Sequence, residues 1–284
     1  MIIALFSDVH GRILLTLKLC RRWEQETGER IDLILQAGDL GAFPNMDRLD
    51  KASRRHAERD PSELGFIEYF VEPCPMAEKV LADLQADLVF IRGNHEDHDF
   101  LDRQAGLVPE DESIFPVDCY RRVFCLKGGT VYTYEKEGQI LRVLGIGRVG
   151  DTSLEPKCIQ PHEEERALRT PPDSCDILLT HDTARDFVTA GMGSQLIWLL
   201  VHELHPAYHF FGHIGQAVAA QQYPHCSTMA AKLENLRWMP REQATRLQDG
   251  AMGILRWEGS GRHAFEVVEA PWWREYTIHS WKHL

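Results

Sequence analysis

Five short apolar runs in this chain each end in a group of polar side chains. The runs lie at residues 2–6, 31–36, 87–91, 177–179 and 208–211. The polar residues that follow them are Asp8 and His10, Asp39, Asn94 and His95, His181, and His213. Short apolar runs bounded by such residues predict buried strands, and the carboxyl ends of parallel strands open into a shared crevice. We therefore expect these carboxylate, amide and imidazole groups, which are typical metal ligands, to meet in one cleft.

The spacing of the remaining elements predicts an α/β fold. Helical periodicity at 13–26 lies between the first two runs, so strand, helix and strand form a right-handed parallel crossover. Strands expected at 123–126, 130–134 and 140–147 are joined by glycine-containing turns and open a second sheet. Helices are also expected at 64–71, 76–85, 163–168 and 195–204, and late strands at 217–221, 253–257 and 265–268. We predict a two-sheet β-sandwich flanked by α-helices, in a single domain spanning residues 1–284.

Two segments depart from this regular succession. Residues 41–75 are rich in proline and charge and show little core periodicity, which predicts a surface insertion that is either a lid or a solvated embellishment. Residues 270–284 form an aromatic tail with Trp272, Trp273, Tyr276 and Trp281. We expect this tail to pack on the body of the protein or on another subunit.

Composition limits the classes of partner and the cellular compartment. A net charge of −12 does not favour nucleic-acid binding, because Lys and Arg contacts to phosphate supply most of that affinity, although a local basic groove stays open. Seven Cys cannot all pair within one chain, and we interpret them as reduced thiols of a cytoplasmic protein. The first residues predict a strand rather than a signal peptide, and no apolar run has the roughly 18 residues of a membrane span. The sequence does not indicate an oligomeric state.

The ordered motifs Asp8-x-His10, Gly38-Asp39, Gly93-Asn94-His95-Glu96, Thr180-His181 and Gly212-His213 resemble those of the calcineurin-like metallophosphoesterase superfamily. The resemblance covers most of the chain and implies that family's sandwich fold and a dinuclear metal centre. It implies that Asp8 and His10 bind the first ion, that Asp39 bridges both ions, and that the second ion is bound by Asn94, His181 and His213. It also implies that His95 contacts the phosphate or protonates the leaving group.

This resemblance implies hydrolysis of a phosphodiester or phosphomonoester. Two divalent ions roughly 3.5–4 Å apart would screen the anionic substrate and activate a water molecule as nucleophile. Mn²⁺ is the expected ion, with iron or zinc as alternatives. Arg12, His98 and Arg148 are candidates for substrate binding, although solvated surface positions explain the two arginines equally well.

One position departs from the family pattern. The family usually has Gly-His-x-His at the last turn, whereas this chain has Gly212-His213-Ile214-Gly215. Glycine cannot bind a metal, so the first ion would be held more weakly, gain another ligand, or be lost. Unassigned side chains that could replace the missing histidine are Gln216, His98, His162, His209 and His225. We expect a first site that is weak but works.

Details around the motifs resemble the RNA lariat debranching enzymes within the superfamily. The shared features are the long insertion after Asp39, a second His shortly after His95, and the His181-Asp182 pair. This resemblance implies a 2′–5′ RNA phosphodiesterase as an alternative function. A second alternative is a non-catalytic phosphate-binding or scaffold protein with a degenerate first metal site, which Gly215 favours and the retained His95 disfavours.

Overall fold

A computed structural model of the chain describes residues 1–239, 246–259 and 261–284. The strands are β1 (Ile2–Phe6), β2 (Leu33–Gln36), β3 (Asp87–Phe90), β4 (Ile114–Pro116), β5 (Val123–Leu126), β6 (Val131–Lys136), β7 (Gln139–Ile146), β8 (Ile177–Thr180), β9 (Tyr208–Phe210), β10 (Val218–Gln222), β11 (Met229–Lys232), β12 (Met252–Trp257) and β13 (His263–Val267). The helices are α1 (Ile13–Thr27), α2 (Lys51–Ala57), α3 (Gly65–Tyr69), α4 (Pro75–Asp83), α5 (His98–Ala105), α6 (Pro161–Leu168) and α7 (Gln195–Leu204). None of the helices in these three ranges has the length and apolarity that crossing a membrane requires.

The strands form two sheets, and the central strands of each sheet run parallel to one another. The first sheet has the order β13-β12-β1-β2-β3-β5-β4, and the second has the order β10-β11-β9-β8-β7-β6. Strands β1, β2, β3 and β5 run parallel to one another, as do β7, β8, β9 and β11. Parallel strands release the chain at the same edge of their sheet, so the loops after β1, β2 and β3 lie side by side.

Alternating residues of the central strands pack into different cores. In β1, Ile3 and Leu5 join the apolar cluster that also contains Leu179 and Phe210 of the second sheet. Phe6 joins the cluster built by helices on the outer face of the first sheet. The corresponding outer face of the second sheet packs against α7 in a third cluster. The predicted sandwich of two sheets flanked by helices is confirmed.

The assignment of β5 to the second sheet was wrong. Strand β5 pairs in parallel with β3 through Leu88 and Val123, and it also pairs with β4, so it belongs to the first sheet. Val123 and Cys125 are fully buried beneath the helices of that sheet, where β5 extends the edge of β3. The second sheet begins with β6, after the turn at Gly128 and Gly129.

The two irregular segments pack on the body of the protein. The insertion contains α2 and α3, and α2 was missed because its polar sequence shows no core stripe. The aromatic tail packs into the helix-side core of the first sheet. The buried ammonium of Lys18 on α1 donates to the carbonyl oxygens of Trp281, Lys282 and Leu284 at 3.1, 2.8 and 3.2 Å.

Candidate metal centre

The side chains that follow five strands of both sheets converge at one point. Asp8, Asp39 and His181, which follow β1, β2 and β8, each present a ligand atom within 4.8 Å of the others. Asn94, which follows β3, brings its Oδ1 to 3.1 Å from Nε2 of His181. All three members of the first group are buried. The predicted convergence of these residues from distant parts of the sequence is therefore a feature of the fold.

Asp39 lies between two imidazoles. Its Oδ1 is 3.3 Å from Nε2 of His181, and its Oδ2 is 3.9 Å from Nε2 of His10. Burial alone would raise the pKa of Asp39, but the neighbouring His181 and His10 outweigh burial and hold that pKa below its ordinary value. Burial would lower the pKa of His181, and Asp39 reverses the direction and raises it to about 9.

Three of the candidate ligands have left-handed backbone conformations. The φ angles are 44° at His10, 54° at Asp39 and 64° at His213. A non-glycine residue in this region costs about 1–3 kcal/mol and persists only where its surroundings enforce it. At Asp39 they do, since its carbonyl oxygen accepts hydrogen bonds from the backbone N–H groups of Val9 and His10. Three of the ten non-glycine residues with positive φ in the described ranges are therefore candidate ligands.

Backbone groups orient the ligand side chains. Nδ1 of His181 lies 2.9 Å from the carbonyl oxygen of Ala37 and must donate to it, which directs Nε2 toward the carboxylates. The N–H of His213 donates to Oδ1 of Asp8 at 3.0 Å, and the N–H of His95 donates to Oδ1 of Asp39 at 2.8 Å. The ring of His213 lies 5.2 Å from that of His181.

The donor set fits a divalent cation. Two carboxylates, an amide oxygen and an imidazole suit the harder first-row and alkaline-earth ions. Two ligand atoms that each lie about 2.1 Å from one ion, with their bonds at right angles, are about 3 Å apart. Nε2 of His181 lies at similar distances from Oδ1 of Asn94 and Oδ1 of Asp39, at 3.1 and 3.3 Å. In addition, Oδ2 of Asp8 is buried and accepts no hydrogen bond from the residues that the structure describes, and the cation near it is Nζ of Lys232 at 3.3 Å.

The sequence matches the family model for calcineurin-like phosphoesterases over residues 1–217. The chain belongs to the calcineurin-like phosphoesterase family. The comparison with curated proteins found no match.

Several solved structures are similar to this calcineurin-like phosphoesterase. The protein TT1561 of Thermus thermophilus shares 15% identity with a TM-score of 0.49, covering 82% of this chain and 89% of that one. A hypothetical protein from the same organism shares 15% identity with a TM-score of 0.47, covering 95% and 100%. The NAD nucleotidase of Haemophilus influenzae shares 11% identity with a TM-score of 0.44, covering 94% of this chain and 49% of that one.

Glu96 organises the loops of this phosphoesterase beneath the cluster. Its buried carboxylate accepts hydrogen bonds from the backbone N–H groups of Leu40, Gly41 and Ala42 at 2.8, 3.1 and 2.7 Å. Burial, and then the nearby Asp39, raises the pKa of Glu96 to about 7. Sequence reasoning gave Glu96 no role, although its place directly after Asn94-His95 was a usable signal.

Asp50 is a residue that sequence reasoning missed entirely. It lies in the insertion, and its Oδ2 is 2.9 Å from Nδ1 of His95. This hydrogen bond raises the pKa of His95 against the opposing effect of burial. Burial would raise the pKa of Asp50, but hydrogen bonds from His95 and Ser53 lower it to about 2. The insertion therefore reaches the cluster, and no local pattern in the sequence predicted that contact.

The three residues predicted to bind substrate make contacts within the protein. Arg12 pairs with Asp60 and Glu63 of the insertion at 2.5 and 3.2 Å. Arg148 pairs with Glu163 at 3.2 Å and also contacts Pro156 and His98.

The half-buried His98 is held neutral by its surroundings. Burial, followed by Arg148 and Arg92, lowers the pKa of His98 to about 3. Its Nε2 has no hydrogen-bond partner in the part of the chain that the structure describes.

The position of the missing histidine opens to solvent. Gly215 is exposed, and a Cβ built there would have no atom within 4 Å. Among the side chains considered as replacements, His209 is buried between the hydroxyls of Thr180 and Tyr223, at 2.7 Å from each. His162 and His225 line two separate surface cavities. The side chain that does reach Asp8 is Lys232, whose Nζ lies 3.3 Å from Oδ2.

Proposed function

We propose that this protein hydrolyses phosphoester bonds with divalent metal held by Asp8, Asp39, Asn94 and His181. The observation that carries the proposal is the convergence of these four side chains from the ends of four strands in two sheets. Membership of the calcineurin-like phosphoesterase family supports it. The geometry supports Asp39 as the central ligand, because its two oxygens face different imidazoles, those of His181 and His10.

The remaining roles follow from the contacts of each side chain. A bound divalent ion would supply Lewis acidity to the phosphoryl oxygens and neutralise their charge. His95 would donate a proton to the departing oxygen from Nε2, since Nδ1 is held by Asp50. His10 and His213 lie at the rim of the cluster, where their imidazoles would complete the coordination of the metal.

The test compares two chromogenic substrates on metal-stripped protein titrated with Mn²⁺. Bis-p-nitrophenyl phosphate and p-nitrophenyl phosphate report diesterase and monoesterase activity. Asn94→Ala should abolish turnover, because it removes an oxygen ligand of the cluster. Asn45→Ala is the matched control, since Asn45 is exposed in the insertion. Absence of turnover in the wild-type protein with Mn²⁺, Fe²⁺ and Zn²⁺ would reject the proposal and favour a phosphate-binding scaffold.

The identity of the metal ion and of the natural substrate are predictions, which assays with further ions and substrates would test. Mn²⁺ is preferred over iron and zinc if it gives the largest activation of the stripped protein. A 2′–5′ RNA phosphodiesterase would cleave branched RNA in preference to linear RNA. None of the contacts in the described ranges distinguishes branched RNA from other phosphoesters, so this alternative has no structural support of its own.

A further inference from the structure

A fully buried lysine lies beside the candidate metal centre. Lys232 ends β11, and none of its side chain is exposed to solvent. Its Nζ donates to the carbonyl oxygen of Leu233 at 2.9 Å and to Oδ1 of Asn235 at 2.8 Å, and it lies 3.3 Å from Oδ2 of Asp8. Two hydrogen bonds and one ion-pair contact surround the lysine nitrogen with oxygen acceptors, an environment that suits an ammonium.

The surrounding segment is built to hold this ammonium against Asp8. The backbone N–H of Leu236 donates to the carbonyl oxygen of Asp8 at 3.0 Å, which fixes Asn235 close to the same residue. A buried charge is tolerated only where its partners are complete, and removing a partner from such a pair is strongly destabilising. The contact with Oδ2 is an ion pair rather than a well-directed hydrogen bond, so this oxygen keeps a free lone pair.

The pairing of Lys232 with Asp8 disfavours a cation on that side of the cluster. A divalent ion on Oδ2 of Asp8 would lie within a few ångströms of a fixed positive charge, in a site with little solvent to screen it. The family motif has its second imidazole at the position of Gly215, which cannot bind a metal, and a Cβ built there would have no atom within 4 Å. Asp39, Asn94 and His181 keep their ligand atoms close together.

We infer that the ammonium of Lys232 replaces one of the two metal ions, so that the centre binds a single divalent ion beside a lysine ammonium. This inference rests on the proposed function for the identity of the metal centre. The ammonium neutralises Asp8, which then leaves the ligand set proposed above, and the divalent ion is held by Asp39, Asn94 and His181. A phosphoryl group in the cleft would then face one metal ion and one protein cation.

The test counts bound metal rather than activity. Wild-type protein is saturated with Mn²⁺ and then freed of excess ion. The number of Mn ions bound per chain is measured by elemental mass spectrometry and by isothermal titration calorimetry. We expect about one ion per chain in the wild type and in Gly215→His, because the ammonium is present in both. Gly215→His is safe for folding, since the position is exposed and open. The double variant Gly215→His with Lys232→Met should approach about two ions per chain.

A second buried lysine provides the matched control. Lys18 also donates to three oxygens in a buried site, but it lies under the aromatic tail. Lys18→Met should therefore keep the wild-type metal count, and circular dichroism confirms that each variant is folded.

Three outcomes would overturn the inference or its basis. About two ions in wild-type protein or in Gly215→His would refute it while leaving the phosphoesterase proposal intact. A folded double variant that holds no more metal than the wild type would show that Lys232 has a structural role only. No bound ion in any protein would refute the metal centre itself.

Discussion

The hydrogen bond between Asp50 and His95 can be removed without removing the cap of helix α2. Oδ1 of Asp50 accepts from the backbone N–H groups of Ala52 and Ser53 at 2.7 and 2.8 Å, and Oδ2 faces Nδ1 of His95 at 2.9 Å. Asn is as good an N-cap as Asp, so Asp50→Asn keeps the first pair of contacts. The substitution places an amide NH₂ where Oδ2 was, and this group cannot accept a hydrogen bond from Nδ1 of His95.

The expected loss follows from the strength of that single contact. A hydrogen bond to a charged group contributes about 1.5–3 kcal/mol, and the lower half of the range applies because Asp50 is 35% exposed. A loss of about 1.5–2 kcal/mol in the transition state lowers kcat roughly 10- to 30-fold. The free energy of unfolding should fall by a similar amount, because the same hydrogen bond is lost, and Asp50→Ala should cost about 1 kcal/mol more because it also removes the cap.

The assay compares leaving groups. If His95 protonates the departing oxygen, its misplacement matters most for an aliphatic alkoxide and least for p-nitrophenolate, which departs without a proton. Asp50→Asn should therefore slow an aliphatic diester by the full factor and leave the p-nitrophenyl diester almost unchanged. Asp50→Ala serves as the comparison, because it removes the cap as well and should lower the melting temperature.

Equal losses on both substrates would refute the reasoning. That result would mean that Asp50 supports the site as a whole and does not direct proton donation by His95. A melting temperature that falls as far in Asp50→Asn as in Asp50→Ala would show that the cap had been lost, and the kinetic comparison would then have no bearing on His95.

Two further predictions concern a buried histidine and a buried arginine. Burial lowers the pKa of His209 from 6.5 to about 3. As the pH falls below 6.5, His209 is protonated in the unfolded chain but stays neutral in the folded protein. The free energy of unfolding should therefore fall by about 1.4 kcal/mol for each pH unit below 6.5. Chemical denaturation measured between pH 7 and pH 4 gives the dependence of the unfolding free energy on pH. In His209→Phe this dependence should be weaker by about 1.4 kcal/mol per pH unit. Arg12→Met leaves Asp60 and Glu63 without their cation and should cost about 3 kcal/mol of stability. If Arg12 has no direct contact with substrate, KM should stay within about twofold of wild type, and a much larger rise would instead restore the predicted role in phosphate binding.

The residues that follow the strands could be predicted because their position depends on local pattern alone. An apolar run of four to six residues indicates a buried strand, and parallel strands bring their carboxyl ends together whatever lies between them. Asp8, Asp39 and His181 are 31 and 142 positions apart, and the fold still brings their ligand atoms within 4.8 Å. The same logic produced the two-sheet architecture.

The residues that were missed lie where no local pattern applies. Asp50 sits in an insertion without core periodicity, and its contact with His95 depends on how 35 residues fold over the body of the protein. Strand β11 has the sequence Met-Ala-Ala-Lys, which carries little strand propensity, so neither the strand nor the direction of Lys232 was predictable. Strand β5 looked like the start of a hairpin series, and only the free edge of β3 explains its place in the first sheet.

Protein contacts hold the ligand cluster in place. Asp8 is fixed by the N–H of His213, Asp39 by the N–H of His95, and His181 by the carbonyl oxygen of Ala37. An ion that enters such a site orders few side chains, so the affinity depends mainly on the charges and ligands that face it. By this reasoning the ligands that this chain shares with its family's motif determine whether the first ion binds, whereas Lys232 and Gly215 determine whether a second ion binds. A family pattern read from the sequence identifies the shared ligands, whereas the number of ions depends on a lysine that the pattern does not include.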